Sequence, residues 1–181
     1  TDYDPIIRKA FAIGADDGVR IDSQPTDAFF VAKQIADFAK TQNYDIIFLG
    51  RETVDYNGCQ VGGMVAELLD LPFISMAGKL EMNGNVATCE RDIQGGTEVL
   101  EVKTPFVVSA AKGMAEQRIP NMRGIMAART KPLKVIPASD TPKFTAIVSF
   151  TLPPPKADCK MIPAENPEQL IELLHSEAKA I

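Results

Sequence analysis

The chain has 181 residues, a length that predicts one domain, or one domain with an extension. Hydrophobic residues make up 45% of it and charged residues 24%, which argues against collagen-like, coiled-coil and mostly disordered proteins. Nineteen basic and 24 acidic side chains give a net charge of −5, so the chain as a whole is not charged like a nucleic-acid or anionic-membrane binder.

The cysteines are few and widely spaced, at positions 59, 89 and 159. This number and spacing argue against a disulfide scaffold or a cysteine zinc site and indicate a reducing compartment. No apolar run is long enough to cross a bilayer and no signal peptide is visible, so we expect no membrane insertion. Because the chain begins at Thr1 directly before a predicted helix, we expect its natural N-terminus to lie upstream.

A helix and a short strand are predicted at the start of the chain. Asp4 followed by Pro5 is a helix-start signal, because aspartate caps free backbone N–H groups and proline loses nothing at the first helical position. Gly14 predicts the end of this helix. A strand then follows at Val19 and Ile21.

A second helix, after Pro25, has the clearest hydrophobic periodicity in the sequence, with apolar side chains at i, i+3 and i+4 spacing. Polar residues are predicted to face water on its other side: Lys33, Gln34, Asp37 and Lys40. The apolar run over residues 46–49, which ends at Gly50, is typical of a parallel strand covered on both faces. Helix, strand, helix, strand predicts an α/β fold.

The pattern then changes to antiparallel strands. Strands are predicted over residues 74–82 and 86–93, joined by the dipeptide at 83–84, Asn-Gly, which suits a tight hairpin turn. A further strand over 99–102 completes this antiparallel excursion. Residues 106–108 are predicted to return the chain to the parallel core sheet.

The C-terminal part is predicted to be an extension. A strand is expected over residues 144–150, and the three prolines at 153–155 form a stiff extended connector. A terminal helix follows, with Asn166 as its cap. We therefore predict an α/β domain over residues 1–150 and a proline-rich arm with a helix over 151–181, which docks on the domain or on a partner.

The segment from Gly50 to Gly63 is the strongest candidate site. It leaves the carboxyl end of a predicted parallel strand and enters a helix predicted over residues 59–70, the place where open α/β sheets bind ligands. Its glycines allow close approach, and the first helical N–H groups and the Gln60 amide suit a phosphate. Two interpretations are open on this pattern alone: nucleotide or phosphate binding, or only a tight turn with close helix–strand packing.

Residues for acid–base or nucleophilic catalysis are scarce. The single histidine, His175, is predicted on the solvent side of the terminal helix. Cys59, at a predicted helix N-terminus, is the one nucleophile candidate, with a thiol pKa expected to be lowered there; packing or lining a ligand is its more ordinary role. The spacings of common hydrolase motifs are absent. The sequence therefore indicates a protein that binds a molecule and presents it, not an enzyme with its own catalytic base.

Although the whole chain is acidic, residues 112–134 form a stretch rich in lysine and arginine. Within it, Ile119 and Met122 lie in a predicted loop between Arg118 and Arg123. Two interpretations are again open: these apolar side chains fold back onto their own domain, or they anchor a partner whose acidic groups the basic rim attracts. No aromatic side chains alternate with these charges, which argues against nucleic acid.

Several motifs occur in the order and spacing of the electron transfer flavoprotein β subunit family, which the chain resembles over nearly its whole length. They lie at residues 12–16, 45–50, 54–55 with 60–62, 90–93 with 95–98, 116–118 and 124–128. The resemblance implies a three-layer, Rossmann-like fold of the adenine nucleotide α hydrolase-like type, to which the antiparallel hairpin and the C-terminal arm and helix are added.

This resemblance also implies a function. In the family, the β subunit forms a heterodimer with an α subunit that holds most of the FAD contacts, and it binds AMP, or a second FAD in electron-bifurcating members. The complex accepts electrons from dehydrogenases, notably the acyl-CoA dehydrogenases of fatty-acid β-oxidation, in the bacterial cytoplasm or the mitochondrial matrix. The alternative is an adenine-nucleotide-binding regulatory module of the same fold without a redox role. A nucleotide-using ligase or hydrolase is disfavoured by the missing phosphate-activation loop.

The resemblance assigns a cofactor site and a partner site. The phosphate-binding turn of the family corresponds to a short set of residues that follows Gly50: Asp55, Tyr56, Cys59, Gln60, Val61 and Gly62. Cys59 and Val61 replace an asparagine and a threonine that are frequent in the family, which leaves backbone N–H groups and Gln60 as the main donors.

The family's partner-recognition loop corresponds to residues 116–126, with Met122 at the position of a leucine anchor and with Ile119 and Arg123 beside it. Asp92 stands at an acidic position that pairs with an arginine of the α subunit's flavin domain. Family members also begin with a strand, a helix and a second strand that wall the AMP pocket. Because this chain starts at the next helix, we expect the 181 residues alone to bind AMP weakly or not at all, which isothermal titration would test.

Overall fold

The part of the molecule that contains the candidate site is built on parallel strands. The computed structural model describes residues 3–54, 57–156 and 158–181. It divides into two compact units, the first ending at Ala146 and the second covering Ile147–Ile181. Within the described residues, every strand belongs to the first unit.

The elements of the first unit alternate between helix and strand, except for one run of consecutive strands in the middle. In chain order they are α1 (Asp4–Ile13), β1 (Gly18–Asp22), α2 (Ala28–Ala39), β2 (Ile46–Gly50), α3 (Val61–Leu69), β3 (Phe73–Asn83), β4 (Val86–Ile93), β5 (Gly96–Lys103), β6 (Phe106–Ala110), α4 (Met122–Ala128) and β7 (Leu133–Pro137). The second unit contains α5 (Pro167–Ser176).

The larger sheet has five strands in the order β2-β6-β3-β4-β5. β2, β6 and the first part of β3 run parallel, whereas β3, β4 and β5 pair antiparallel. This confirms the α/β class, the antiparallel excursion and the return of residues 106–108, since β6 lies between β2 and β3. The three-layer, Rossmann-like classification stays a prediction.

β1 and β7 form a separate two-stranded parallel sheet among the described residues. The hairpin between β3 and β4 is also close to its prediction. Asn83 pairs with Val86, so the loop is Gly84 and Asn85, one residue later than predicted. Gly84 has a φ of 62°, which glycine adopts without steric cost.

The core lies on both faces of β6. Phe106 and Val108 point towards the antiparallel strands, and Val107 points towards α2 and α3, where it packs against Val65. Side chains alternate across a strand, so one buried strand joins the two hydrophobic clusters. Each such fully buried side chain contributes about 1.5–3 kcal/mol.

β2 is less covered than its apolar sequence predicts. Phe48 is 55% exposed, so the expectation of a strand covered on both faces is wrong. Among the described residues, β2 pairs with β6 on one side and with no strand on its other edge. An apolar run indicates a buried strand but does not show how many neighbours it has.

Asp4 does not form the cap predicted for α1, whereas α2 has a side-chain cap. Asp4 lies inside α1, makes no capping hydrogen bond and has its carboxylate 3.3 Å from the Arg20 guanidinium. In α2 the cap is Asp27, which accepts a hydrogen bond of 2.7 Å from the N–H of Phe30. That bond, followed by one from the N–H of Phe144, lowers the pKa of Asp27.

The predicted strand over residues 144–150 is wrong, because this stretch is irregular in the described chain. Within the first unit, Asp27 accepts the backbone N–H groups of Phe144 and Thr145 that a strand would have used in a ladder. Phe144 also packs edge-on against Phe29, with ring centroids 4.8 Å apart. The carboxylate of Asp27, distant in sequence, therefore takes the place of a neighbouring strand for these two N–H groups.

Gln34 was predicted to face water and instead is buried, at 5% exposure. Its amide nitrogen donates to the carbonyl oxygen of Ser139 and to the hydroxyl of Thr141, and its amide oxygen accepts from the N–H of Ser139. A buried polar group with its bonds satisfied is stable. Periodicity alone cannot reveal such a partner.

The second unit consists of irregular chain and α5. Asn166 precedes the helix as predicted, but its side chain makes no capping hydrogen bond. Lys160 and Glu177 form an exposed ion pair, and His175 is exposed on the helix surface. No α5 side chain is buried among the described residues.

Candidate functional site

The candidate phosphate site begins where β2 ends. Gly50 is the last residue of that strand, and the exposed residues after it lead to the first turn of α3. Cys59, Gln60 and Val61 follow one another at this entrance. Asp55 and Tyr56, which the family resemblance also assigns to the site, lie outside the described residues.

The first turn of α3 presents free backbone donors. The helix begins at Val61, two residues later than predicted, and no described residue accepts a hydrogen bond from the N–H groups of Val61, Gly62 and Gly63. Met64 is the first to bond, to the carbonyl oxygen of Gln60 at 3.1 Å. Such groups at a helix N-terminus carry partial positive charge and bind anions.

The glycines of this segment serve different purposes. A Cβ on Gly62 would lie 2.9 Å from two ring carbons of Phe73, whereas one on Gly63 would lie at an ordinary 3.7 Å. At Gly50 and Gly58, no atom of the described residues lies within 4 Å of such a Cβ. Close packing therefore accounts for Gly62, while Gly50 and Gly58 border open space that a ligand can enter.

The loop before α3 has an unusual backbone. Asn57 and Cys59 have φ values of 48° and 50°, in the left-handed region that non-glycine residues seldom adopt. Internal contacts hold it: Arg51 pairs with Glu52 at 2.6 Å, and the N–H of Asn57 donates to the carbonyl oxygen of Thr53. Backbone in sparsely populated conformations is common at ligand sites.

Cys59 does not have the lowered thiol pKa that its position predicts. Desolvation and then a hydrogen bond to the Glu52 carboxylate, with the sulfur 3.4 Å from the Glu52 oxygen, raise the pKa of this thiol. Desolvation and the nearby carboxylate both disfavour the thiolate and together outweigh the attraction of Arg51. Because the thiolate is the nucleophilic form, this correction argues against a catalytic role for Cys59.

Strand register places two polar residues in the same row of the sheet as Gly50. One row crosses all five strands: Gly50, Ala110, Ala77, Arg91 and Glu98. The Arg91 guanidinium donates to Glu98 and, at 2.6 Å, to the hydroxyl of Ser75. Arg91 and Glu98 stand in motifs of the sequence, but only register shows that they lie in the same row as Gly50, three and four strands away from it.

Sequence reasoning missed Ser109 and Met76. Ser109 is 4% exposed on β6, and its side chain would lie 3.8 Å from a Cβ on Gly62. Its hydroxyl accepts a hydrogen bond of 2.8 Å from the N–H of Met76, whose φ is 55°. The one available signal was a serine at the end of an apolar strand, which by itself does not distinguish a core hydroxyl from a site residue.

The predicted partner-binding loop is partly helical. Asn121 caps α4, its side chain accepting from the N–H of Gly124 at 2.7 Å, so Met122 and Arg123 lie in a first helical turn instead of a loop. Ile119 is 81% and Met122 74% exposed, so these side chains do not fold back onto their own unit. The structure therefore leaves an exposed apolar surface next to basic residues, as a docking site requires.

Asp92 lies near the end of β4. It is exposed, and its carboxylate is 3.5 Å from the hydroxyl of Thr97. The residues assigned to partner binding thus stand on two different elements, β4 and the segment that contains α4.

Two other kinds of site receive no support from the described residues. No group of three or more histidine, cysteine, aspartate or glutamate side chains is placed to hold a metal ion in that part of the chain. None of the helices described there has the length and apolar character needed to span a membrane.

Comparison with known proteins identifies the family of the chain. A family described as the electron transfer flavoprotein domain matches residues 2–141. The chain is 37% identical to the electron transfer flavoprotein subunit beta of Bacillus subtilis, over 97% of this chain and 74% of that protein. It is 40% identical to the same subunit of Syntrophomonas wolfei over 83% of this chain and 60% of that protein, and 31% identical to the mitochondrial one of Arabidopsis thaliana, over 97% and 72%.

Proposed function

Because the chain belongs to the electron transfer flavoprotein family and matches its β subunits, we propose that it acts as the β subunit of such an electron carrier. It would pair with a flavin-bearing α subunit, bind an adenine nucleotide and accept electrons from acyl-CoA or other dehydrogenases, in the bacterial cytoplasm or the mitochondrial matrix. The matches span 60% to 74% of the length of the relatives described above. The cofactors, partners and electron transfer of such whole proteins are therefore part of the proposal.

The nucleotide proposal rests on the N–H groups of Val61, Gly62 and Gly63, from which no described residue accepts a hydrogen bond. With open space at Gly50 and Gly58, they suit the phosphate of AMP, or of a second FAD. Gln60 would add an amide donor from its exposed position. Donors of this kind fix the position of an anion without transferring a proton to it.

Two residues assigned to the site would act differently from their family counterparts. Cys59 stands beside the carboxylate of Glu52 and would line the nucleotide instead of donating strongly to it. Val61 offers only its backbone N–H, because its side chain is apolar. Asp55 and Tyr56 remain proposals from the resemblance.

The flavin, held mainly by the α subunit, would supply the electron chemistry of the complex. This chain would contribute binding and orientation: Asp92 would face an arginine of the α subunit, next to the Arg91–Glu98 pair that fixes its strand. The arm and α5, in residues 151–181, would dock on the domain or on that subunit. An electron carrier needs no acid–base residue from this chain.

Ile119, Met122 and Arg123 would engage the dehydrogenase. Burial of one methionine in a partner pocket contributes about 1.5–3 kcal/mol, enough to decide between weak and useful binding. The basic side chains at the rim, Arg118 and Arg123, would attract acidic groups of the partner and speed its approach.

Purification of the native protein from its own cells tests this proposal. We expect a yellow complex of two different subunits that releases one AMP per heterodimer on denaturation, or a second flavin if the nucleotide is FAD. A colourless single protein with bound adenine nucleotide would contradict it and support the regulatory module instead. Turnover of ATP by the purified protein would also contradict it.

A further inference from the structure

The exposed helix α4 meets α1 at a glycine. A Cβ on Gly124 would lie 2.3 Å from the carbonyl oxygen of Ala12, closer than any side-chain atom can approach. The backbones of the two helices are therefore in direct contact at this point. An alanine there would force α4 away from α1, because the obstructing atom belongs to the backbone and cannot rotate aside.

An arginine of α1 binds the C-terminal end of α4. One guanidinium nitrogen of Arg8 donates to the carbonyl oxygens of Ala128 and Lys131, both at 2.7 Å. Carbonyl groups at a helix C-terminus lack partners within the helix and favour a nearby positive charge. Arg8 is half-buried and lies 5.3 Å over the ring of Phe11, which limits its freedom to move.

The reverse contact comes from the other helix. The ammonium of Lys131, just after α4, donates to the carbonyl oxygens of Phe11 and Ala15 at the end of α1. Arg118, before α4, lies 3.5 Å from the carbonyl oxygen of Ile13. Carbonyl groups at the C-terminal end of each helix thus accept hydrogen bonds from a cationic side chain that lies in or next to the other helix. Charged hydrogen bonds of this kind are stronger than neutral ones.

We propose that Arg8, Lys131 and Gly124 form a clamp between α1 and α4 that holds the docking surface in its binding orientation. This inference rests on the proposed docking role of Met122. Arg8 and Gly124 are then positioning residues: they face α1 and α4 rather than the partner, and they act through the exposed side chains. A surface that is already ordered loses less conformational entropy when the partner binds.

The test uses the intact complex and its reduced dehydrogenase donor. We expect Arg8→Ala and Gly124→Ala to raise the KM for the dehydrogenase about tenfold, with kcat, flavin and nucleotide content unchanged. Arg8→Lys should keep most of the affinity, because one ammonium can also donate to two carbonyls. Lys9→Ala is the matched control: it removes an exposed charge from the same helix and should change nothing.

A double-mutant cycle separates positioning from a general loss of stability. If Arg8 acts through Met122, Arg8→Ala should add little to the KM once Met122 is already alanine. An equal effect of Arg8→Ala in both backgrounds would overturn the clamp, as would an unchanged KM in both Arg8→Ala and Gly124→Ala. If Met122→Ala itself leaves the KM unchanged, the docking proposal fails and the clamp fails with it; a raised KM in Met122→Ala alone rejects only the clamp.

Discussion

The two proposed binding segments are held in opposite ways. The described residues between Gly50 and α3 are exposed, several of them bond to one another, and two non-glycine residues among them have left-handed backbone. The docking helix α4 is bonded at its C-terminal end by Arg8 of α1, and its neighbours Lys131 and Arg118 bond α1 in return. The first segment is proposed to receive a small ligand, and the second to receive a protein.

This difference follows from what each segment is proposed to bind. A phosphate brings its own charge and compact shape, so the N–H groups of Val61 to Gly63, which bond to none of the described residues, suffice to receive it. A protein partner must be met by several side chains at once, and each one that is ordered beforehand reduces the cost of binding. This comparison would fail if the described part of the open loop were rigidly held, or if α4 were mobile.

The largest expected effect is at Gly62, the one tightly packed residue at the start of α3. Gly62→Ala should destabilise the protein by about 1–3 kcal/mol, because its new Cβ would overlap the ring of Phe73. Gly63→Ala, one residue further along, is the matched control and should be neutral or slightly stabilising, since alanine favours the helix. Denaturant unfolding of both variants measures this; equal stability would show that Gly62 is not a packing residue.

The next effect is on the docking surface. Met122→Ala in the complete heterodimer should raise the KM for the reduced dehydrogenase about tenfold, because most of the apolar contact of the anchor is lost. Its folding stability should stay the same, since the side chain is 74% exposed in the free chain. Steady-state electron acceptance measures the change, and an unaltered rate at every donor concentration would remove Met122 from the interface.

The smallest effect concerns the thiol of Cys59 in the open loop. The Glu52 carboxylate disfavours the thiolate, so Glu52→Gln should lower the pKa of Cys59 and move its alkylation curve to lower pH. At a fixed pH below that pKa we expect alkylation to be roughly threefold faster. Cys159, also exposed, is the internal control. No change in the Cys59 rate would mean that Glu52 does not set its reactivity.

The helices and strands of the α/β core could be predicted because their apolar patterns depend on local sequence. The return of residues 106–108 and the hairpin near Gly84 are confirmed for this reason. The burial of Gln34 could not be predicted, because it depends on acceptors and donors at Ser139 and Thr141, more than 100 residues away. A polar residue in a periodic pattern indicates solvent unless its distant partner is known.

The candidate site was predictable as a segment but not as a geometry. The glycines pointed to residues 50–63, yet their separate roles depend on the position of Phe73, which only the packed helix and strand reveal. The thiol pKa of Cys59 was predicted in the wrong direction because desolvation and then the hydrogen bond to Glu52 raise it, and neither is visible in the sequence. Only strand register shows that Arg91 lies in the same row of the sheet as Gly50.

Hydrogen exchange of the intact complex, with the nucleotide removed and then restored, tests the central claim most directly. Restored nucleotide should slow exchange at the N–H groups of Val61, Gly62 and Gly63, and residues 122–128 should exchange equally slowly in both states. The opposite pattern, with no change at the start of α3 or with α4 ordered only when nucleotide is present, would contradict the account.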